Sequence, residues 1–488
     1  MALQSVLAKN TTYLTLSSLA QKALAFWWFT YVADQLQEDM LGKYSFAVTY
    51  TSIFVILMNF GLIPVLTREG AKHPEDLQRQ FKNVLSLKLV LTVVSIAVLL
   101  GVFYILNLSK PMPEYTVYLV YLAIGIIIFD TFRAIIFGVL RAQQKMHYEA
   151  IGQFFYQVIV VAVGATAFAY GYKAGGLIIA INCASVAYLL YGLYILYRKT
   201  DIRLGWYWHW PTMWRLFIVA APFALADIFF KLNGSVDTVM LAYLAGDRYV
   251  AWYNIALKLT ITLTVIPGAF ATAFFPAMSQ ALAKSKEAFR DIYEQATILL
   301  LFVSIPIAVG TAVLAPSIIG IAFEDFPATI PALQWFMMSI VFLFVNYPIG
   351  NALNAANKQL LNTINMGVAL AVNVILNILL IPNYTYIGAA VAATMSAMVL
   401  VLLGLPHVYQ LTGFRAWLLF KKAILLTSSA LVMGVVVWYL QQVFPATTMM
   451  FLVMLSIAVV VYCAATLIVR AVRISDLKTI WKQVLRRS

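Results

Sequence analysis

The segment from Leu89 to Leu100 reads LVLTVVSIAVLL and carries no charge. Wound as a helix, it presents apolar side chains on every side, whereas a strand of a membrane barrel would alternate apolar and polar residues. The apolar stretch around it, residues 84–106, contains one charged residue, Lys88. It is long enough to cross a hydrocarbon core of about 30 Å as a helix. This stretch therefore predicts a transmembrane α-helix.

Comparable apolar stretches follow one another along the chain. The fourteen predicted spans are residues 11–33, 44–67, 84–106, 115–140, 151–170, 175–197, 213–245, 249–276, 291–315, 327–352, 360–381, 386–409, 421–440 and 447–469. The composition agrees, because 63% of the residues are hydrophobic, 11% are charged and the mean hydropathy is +0.88. Such a chain is neither a soluble globular protein nor a disordered one. The only cysteines, Cys183 and Cys463, lie in apolar runs and do not indicate a disulfide scaffold.

The basic residues are distributed unevenly between alternate connections. Counted by connection, 24 Lys and Arg residues fall on one side of the predicted membrane and 4 on the other. Because positively charged connections remain in the cytoplasm, this bias predicts that both termini are cytoplasmic in the cell (inner) membrane. The net charge of +14 is then a signal of topology and does not indicate nucleic acid as a partner.

The chain repeats itself at an offset close to 212 residues. Three separated segments agree on this offset: Pro64, Ala71, Lys72 and Glu75 match Pro276, Ala283, Lys284 and Glu287; Leu140, Ala142 and Lys145 match Leu353, Ala355 and Lys358; Gly176 and Ala180 match Gly388 and Ala392. The offset contains six predicted spans, an even number, so both copies have the same orientation in the membrane. Parallel copies are related by an axis along the membrane normal, and they enclose a cavity that rocking opens to either side.

These patterns predict an all-α polytopic membrane protein with about 14 transmembrane helices. Two parallel six-helix lobes would be followed by two further helices. The predicted organisation is an N-terminal lobe (1–200), a cytoplasmic interfacial linker (201–212), a C-terminal lobe (213–410), an extra helix pair (411–470) and a basic amphipathic cytoplasmic tail (471–488).

Four cations inside the predicted spans indicate a site for an anion. A charge at the bilayer centre costs at least about 2.5 to 3.5 kcal/mol, so such groups face a cavity or a partner. Lys22 and Lys258 have no carboxylate within a helical turn, and each comes from a different lobe. Together with Arg133 and Lys231 they predict an electropositive cavity that binds a phosphate or pyrophosphate group. The alternative for the two lysines is pairing with a distant carboxylate such as Asp237.

Three carboxylates in the spans are candidates for ion coupling. Asp130 lies three residues before Arg133, and Asp227 lies four residues before Lys231, so each pair shares a helical face and could instead neutralise itself. Asp237 follows a polar interruption of span seven at residues 233–235, which predicts a broken helix there. An Asp at that place is also a usual helix cap. Lys88, near one end of span three, is expected to reach the interface by snorkelling.

No motif in the sequence indicates an enzyme. Walker A, HExxH and GxSxG motifs are absent, no histidines have metal-ligand spacing, and neither a metal site nor an organic cofactor is predicted. The one alternative is a membrane glycosyltransferase or polymerase with a lipid-linked donor. It would use the acidic residues Asp34, Glu38 and Asp39 of the first outer connection, which is too short to accompany a large catalytic domain.

Several segments resemble those of a known family. They are AKNTTYLTLSSLAQK (Ala8–Lys22), LGKYSFA (Leu41–Ala47), NFGLIPVLTREGAKHPE (Asn59–Glu75), LRAQQKMHYEAI (Leu140–Ile151) and VDTVML (Val236–Leu241). The chain is similar over its whole length to the oligosaccharide flippases of the multidrug/oligosaccharidyl-lipid/polysaccharide (MOP) exporter superfamily. Lipid II flippases of that superfamily place arginines in the first span, where this chain has only Lys22, and this difference argues against the lipid II branch.

The resemblance implies that the protein moves a polyprenyl-linked oligosaccharide from the cytoplasmic to the outer leaflet by alternating access. It further implies an H⁺ or Na⁺ gradient as the energy source and membrane lipids as surroundings, with glycan-assembly enzymes as partners. A monomer is expected. The multidrug branch, which exports organic cations through buried carboxylates, is an alternative that the excess of basic residues in the spans disfavours.

Overall fold

The computed structural model describes residues 20–444 and 447–471, apart from the side chains of residues 222, 223, 272 and 273. Within these ranges the chain forms helices and short connections and contains no strand. The helices are α1 (20–35), α2 (Glu38–Ile53), α3 (Val55–Asn59), α4 (Leu62–Lys72), a 3-10 helix (Pro74–Asp76), α5 (Leu77–Ser109), α6 (Glu114–Ala142), α7 (Met146–Ala169), α8 (Ala174–Lys199), α9 (Trp210–Asn233), α10 (Val236–Leu244), α11 (Asp247–Leu263), α12 (Val265–Lys284), α13 (Lys286–Ala322), α14 (Thr329–Ala355), α15 (Gln359–Thr412), α16 (Ala416–Val443) and α17 (Thr448–Ile468).

The helices confirm an all-α polytopic membrane protein. Eleven helical runs of the described residues are long and apolar enough to cross a membrane, and α9, bent by 48° between Ala221 and Ala224, makes twelve. The count of fourteen stays a prediction. The first predicted span is described only from residue 20, and the 54-residue α15 joins the two predicted spans 360–381 and 386–409 across a break at Thr385.

The chain divides into two compact units, Met1–Val250 and Ala251–Ser488. Each unit has its own apolar core. In the first, fully buried side chains such as Phe81 and Val139 come from α5 and α6; in the second, Phe289 and Leu353 come from α13 and α14. The lobe, linker and helix-pair boundaries drawn from the sequence stay predictions, and the amphipathic tail lies outside the described residues from residue 472 onward.

Local backbone geometry recurs at the predicted offset. Gln144 and Asn357, 213 residues apart, both adopt the left-handed conformation, with φ of 59° and 57°. In each case the next residue donates a backbone hydrogen bond five residues back, from Lys145 to Leu140 and from Lys358 to Leu353, both at 2.8 Å. This is the Schellman arrangement that ends a helix. The matching sequence segments therefore form the same helix end.

A second matched pair lies at an offset of 212. Thr200 and Thr412 each donate a side-chain hydrogen bond to the carbonyl four residues earlier, at 2.6 and 2.9 Å. Each hydroxyl also accepts a bond from the backbone N–H two residues later, at 3.2 Å in both cases. The threonines at the ends of α8 and α15 thus make the same two hydrogen bonds.

Two helix breaks shape the first unit. Between α3 and α4, Phe60 and Gly61 are both left-handed, with φ of 39° and 65°, and the Phe60 ring stacks on Phe217 at 4.3 Å between ring centroids. The break predicted for span seven is confirmed, because α9 ends at Asn233 and α10 begins at Val236. The 48° bend within α9 is a second irregularity, which the sequence analysis missed.

Candidate functional site

Arg133 lies on α6 with its charge partly matched. Its Nε is 3.2 Å from Asp130 Oδ1, and the two side chains are 23% and 26% exposed. The N–H is not aimed at the carboxylate, so neither atom has a hydrogen-bond partner among the described residues. The pairing expected from the three-residue spacing is therefore present. Arg133 Nε–H can still donate a hydrogen bond, and Asp130 Oδ1 can still accept one.

Two tyrosines frame the Arg133 guanidinium. Its carbon lies 4.4 Å from the ring centroid of Tyr188 on α8 and 5.9 Å from that of Tyr156 on α7. The negative faces of the rings attract a cation. Tyr188 is itself fixed by a 2.9 Å hydrogen bond from its hydroxyl to the carbonyl of Glu149. Three helices of the first unit thus position this arginine, which sequence spacing alone did not indicate.

The other predicted cations lie on three different helices. Lys22 is exposed on α1, and Lys231 is partly buried on α9; both belong to the first unit. Lys258 is partly buried on α11, in the second unit. A shared cavity that contains all four cations stays a prediction.

The two remaining acidic candidates differ in their surroundings. Asp227 is exposed on α9, and in the described part of the chain it forms no ion pair with Lys231 within 4 Å, although the two lie one turn apart. Asp237, in the first turn of α10, is 4% exposed. Ion coupling through Asp130, Asp227 or Asp237 stays a prediction.

The expectation that Lys88 snorkels to the interface is wrong. Its side chain is fully buried, and its Nζ donates a 2.6 Å hydrogen bond to Oδ1 of Asn59 at the end of α3. Thr131 on α6 donates to the same oxygen at 2.9 Å. The three residues are separated by 29 and 72 positions in the chain, so no local pattern could have placed them together.

Two buried glutamates were also missed by the sequence analysis. Glu149 binds Arg141 through two hydrogen bonds, at 2.7 and 2.5 Å, and its side chain is 6% exposed. Glu294 binds Arg415, and its side chain is 3% exposed. The first pair joins α7 to the last turn of α6, and the second joins α13 to the residue before α16. Bidentate contacts of this type are among the stronger ion pairs.

The three acidic residues predicted for the first outer connection lie at helix ends: Asp34 is in α1, and Glu38 and Asp39 begin α2. Glu38 accepts a 2.7 Å hydrogen bond from Arg248 Nε, and the two side chains are 26% and 60% exposed. A carboxylate that already binds an arginine is a weak nucleophile or base. The contact therefore gives no support to an enzyme built on Asp34, Glu38 and Asp39.

Known proteins resemble this chain over most of its length. The probable low-salt glycan biosynthesis flippase Agl15 of Haloferax volcanii is 22% identical, with 84% of each chain covered. A solved structure of the lipid II flippase MurJ, in an inward closed conformation, has a TM-score of 0.75 at 17% identity and covers 94% of this chain and 98% of its own. An inward-facing multidrug resistance MATE family transporter of the MOP superfamily has a TM-score of 0.64 at 17% identity, covering 79% and 96%.

Two family models match overlapping parts of the chain. Residues 222–379 match the MatE family. Residues 7–282 match the family described as polysaccharide biosynthesis protein, which is more than half of the sequence. These family matches and the sequence relatives confirm the resemblance drawn from the sequence segments, and the structures of MurJ and of the MATE transporter share the helical fold. The chain therefore belongs to the polysaccharide biosynthesis protein family.

Proposed function

We propose that the protein is a flippase that moves a polyprenyl-(pyro)phosphate-linked oligosaccharide from the cytoplasmic to the outer leaflet, for the synthesis of a cell-surface glycan. The observation that carries the proposal is the incomplete neutralisation of the spanning cations. Lys231 forms no ion pair with Asp227 one turn away, and Arg133 keeps an unused N–H beside Asp130. Cations in an apolar helix that lack full partners suit an anionic substrate group.

The names of the relatives support the same class of substrate. Agl15 is described as a glycan biosynthesis flippase and MurJ as a lipid II flippase. In the proposed cycle, Lys22, Arg133, Lys231 and Lys258 bind the phosphate groups while the sugar occupies a wet cavity. The lipid tail stays in the bilayer. Transport by alternating access, driven by an H⁺ or Na⁺ gradient, requires no catalytic residue in this chain. Both termini are proposed to be cytoplasmic.

A cation-coupled multidrug antiporter is the second candidate, and the match of residues 222–379 to MatE favours it. Such a transporter would bind an organic cation through Asp130, Asp227 or Asp237. The flippase requires positively charged residues at its site, whereas the antiporter requires negatively charged ones. Substitutions that remove the basic or the acidic side chains therefore distinguish the two functions.

Complementation of a strain that lacks its own oligosaccharide flippase tests the proposal. Lys22→Ala and Lys258→Ala, alone and together, are expected to lower surface glycan at least about tenfold, because a lost charge-assisted hydrogen bond is worth roughly 1.5–3 kcal/mol. Lys173→Ala, in the exposed connection before α8, is the control and should export normally. Membrane levels of each variant are measured in parallel.

Two results would contradict the proposal. Wild-type levels of surface glycan in the double variant would show that Lys22 and Lys258 do not bind the phosphate groups of the substrate. Resistance to an organic cation such as ethidium that depends on Asp227 or Asp237, without glycan export, would support the multidrug reading instead. The enzyme alternative predicts that Asp34→Asn, Glu38→Gln and Asp39→Asn together abolish export, whereas the flippase proposal predicts that export persists.

A further inference from the structure

Lys88 lies deep within a spanning helix of the first unit. It is 11 residues from the start of α5, or about 16 Å at the helical rise of 1.5 Å per residue, and its side chain is fully buried. The hydrogen bond to Asn59 Oδ1, at 2.6 Å, is its one side-chain contact of that kind in the described structure. An amide oxygen is thus the acceptor where a buried lysine would ordinarily have a carboxylate.

The charged form of Lys88 is poorly accommodated in this environment. An ammonium group has three N–H donors, while the shared acceptor Asn59 Oδ1 also receives the Thr131 hydroxyl at 2.9 Å. Burying an ion without a counter-ion is so costly that such groups usually become neutral. A neutral amine, with two donors and a lone pair, fits the same surroundings without this cost.

No acidic residue of the neighbouring described helices pairs with the positive charge that Lys88 would carry. Helix α5 packs against α3, α4, α6, α9 and the 3-10 helix. Apart from Arg79 and Lys82 on α5 itself, the charged groups of these elements are Arg68, Glu69 and Lys72 on α4, Glu75 and Asp76 on the 3-10 helix, Glu114, Asp130, Arg133 and Arg141 on α6, and Arg215, Asp227 and Lys231 on α9; helix α3 has none. Among the described residues none of the acids forms an ion pair with Lys88, and Asp130 is engaged by Arg133, beside the rings of Tyr156 and Tyr188.

The repeat shows that the fold does not need this polar group. At offsets of 212 and 213, Asn59, Lys88 and Thr131 correspond to Ala271, Leu300 and Phe344. Leu300 is 2% exposed and Phe344 is fully buried, so the second copy fills the same place with apolar side chains. Helix α12 also runs without interruption from Val265 to Lys284, whereas the first copy breaks at Phe60 and Gly61. The polar group and the helix break occur together, in the first copy only.

We propose that Lys88 is a proton-binding site that couples proton uptake to the conformational cycle. In the conformation described here its Nζ is a neutral amine. When movement at the Phe60–Gly61 break admits water, the lone pair takes up one proton from the aqueous phase and gives an ammonium group. When the site next opens to the other side of the membrane, the ammonium group releases that proton to water there and becomes a neutral amine again. Because the two conformations differ in proton affinity, a proton gradient shifts their populations. The proton site is inferred independently of the proposed function, but the process that it drives, export of a lipid-linked glycan, rests on the proposed flippase function.

Direct observation of the Lys88 nitrogen tests the protonation state independently of transport. The full chain, labelled with ¹⁵N at lysine Nζ and reconstituted in lipid nanodiscs, is studied by solid-state NMR between pH 6 and 10. We expect one amine signal at pH 7.5 that is missing in Lys88→Leu, while Lys72→Met, a change of an exposed lysine, removes only an ammonium signal. Should Lys88→Leu fail to fold, Asn59→Ala keeps the lysine and should shift its signal. An ammonium signal for Lys88 throughout this pH range would overturn the proposal. Lys88 would then only stabilise the fold, through its hydrogen bond to Asn59.

Complementation gives the second measurement. Lys88→Leu matches Leu300 of the second copy, so we expect normal membrane levels but at least tenfold less surface glycan. We also expect export by the wild type, but not by this variant, to depend on external pH. Lys88→Arg retains a charge that cannot be lost and should also fail. Export by either variant at the wild-type level and with the same pH dependence would overturn the proposal. If the wild-type protein itself exports no glycan, the flippase function fails, while the NMR result still decides the proton site.

Discussion

At the scale of single residues, Glu294 shows how one buried carboxylate orders a connection. It lies on α13 and is 2% exposed. Its Oε1 accepts hydrogen bonds from the backbone N–H of Arg415 at 2.7 Å and from Arg415 Nε at 3.1 Å. These bonds and the negative charge raise the pKa of the Arg415 guanidinium, so the arginine stays charged at any physiological pH. Glu294 thereby fixes the residue that precedes α16.

Replacing Glu294 by Ala should destabilise the protein. The change leaves the partly buried backbone N–H of Arg415 without its acceptor and removes the carboxylate that binds its guanidinium. A hydrogen bond to a charged group contributes about 1.5–3 kcal/mol. We expect a lower midpoint of thermal unfolding for the purified protein in detergent. The control is Asp291→Asn, because Asp291 is 51% exposed, lies 3.5 Å from Arg415, and should change the midpoint little. Equal midpoints for Glu294→Ala and the wild type would contradict a stabilising role for this contact.

At the scale of helices, α7 and α8 approach closely because α7 carries a glycine at their contact. A Cβ atom added at Gly152 would lie 2.1 Å from Cε2 of Tyr188, far closer than any allowed contact. The tyrosine cannot simply move, since its hydroxyl binds the Glu149 carbonyl and its ring lies against Arg133. The helix pair therefore also determines how Arg133 is held.

Gly152→Ala should separate these helices. Overpacking of this type costs typically about 1–3 kcal/mol, so we expect a lower unfolding midpoint, and loss of surface glycan because Arg133 loses its aromatic contact. Gly101→Ala is a matched control on α5, where an added Cβ meets nothing within 4 Å. That variant should be more stable by about 0.5–1 kcal/mol, since alanine is the better helix former. A stability of Gly152→Ala equal to that of Gly101→Ala would show that the contact is not tight.

At the scale of the whole molecule, the internal repeat makes a prediction about membrane sidedness. Parallel copies require that residues 212 positions apart lie on the same side, whereas inverted copies would place them on opposite sides. His73 and Ser285 are one such exposed pair, and Tyr172 and Tyr384 are another, with the two tyrosines 62% and 61% exposed. The excess of basic residues assigns the first pair to the cytoplasm.

Thiol labelling measures this arrangement. Single cysteines at these four positions, in a background with Cys183→Ser and Cys463→Ser, are treated in intact cells with a membrane-impermeant maleimide. We expect labelling at Tyr172→Cys and Tyr384→Cys, and labelling at His73→Cys and Ser285→Cys only after the membrane is permeabilised. If only one member of a pair were labelled in intact cells, parallel copies would be ruled out. If the cysteines at positions 73 and 285 were labelled in intact cells and those at 172 and 384 were not, the orientation in the membrane would be the reverse of the proposed one.

The sequence by itself determined the membrane class, most span positions, the break at residues 233–235 and the repeat, since these depend on composition along a continuous segment. Spacing within one helix also predicted the Asp130–Arg133 pair, because residues three apart share a face. The tertiary structure alone decided that Lys88 is buried against Asn59 and Thr131, that two tyrosines frame Arg133, and that Glu294 holds Arg415. These contacts join residues that are 23 to 121 positions apart, and hydrophobic periodicity carries no information about which distant side chains will meet.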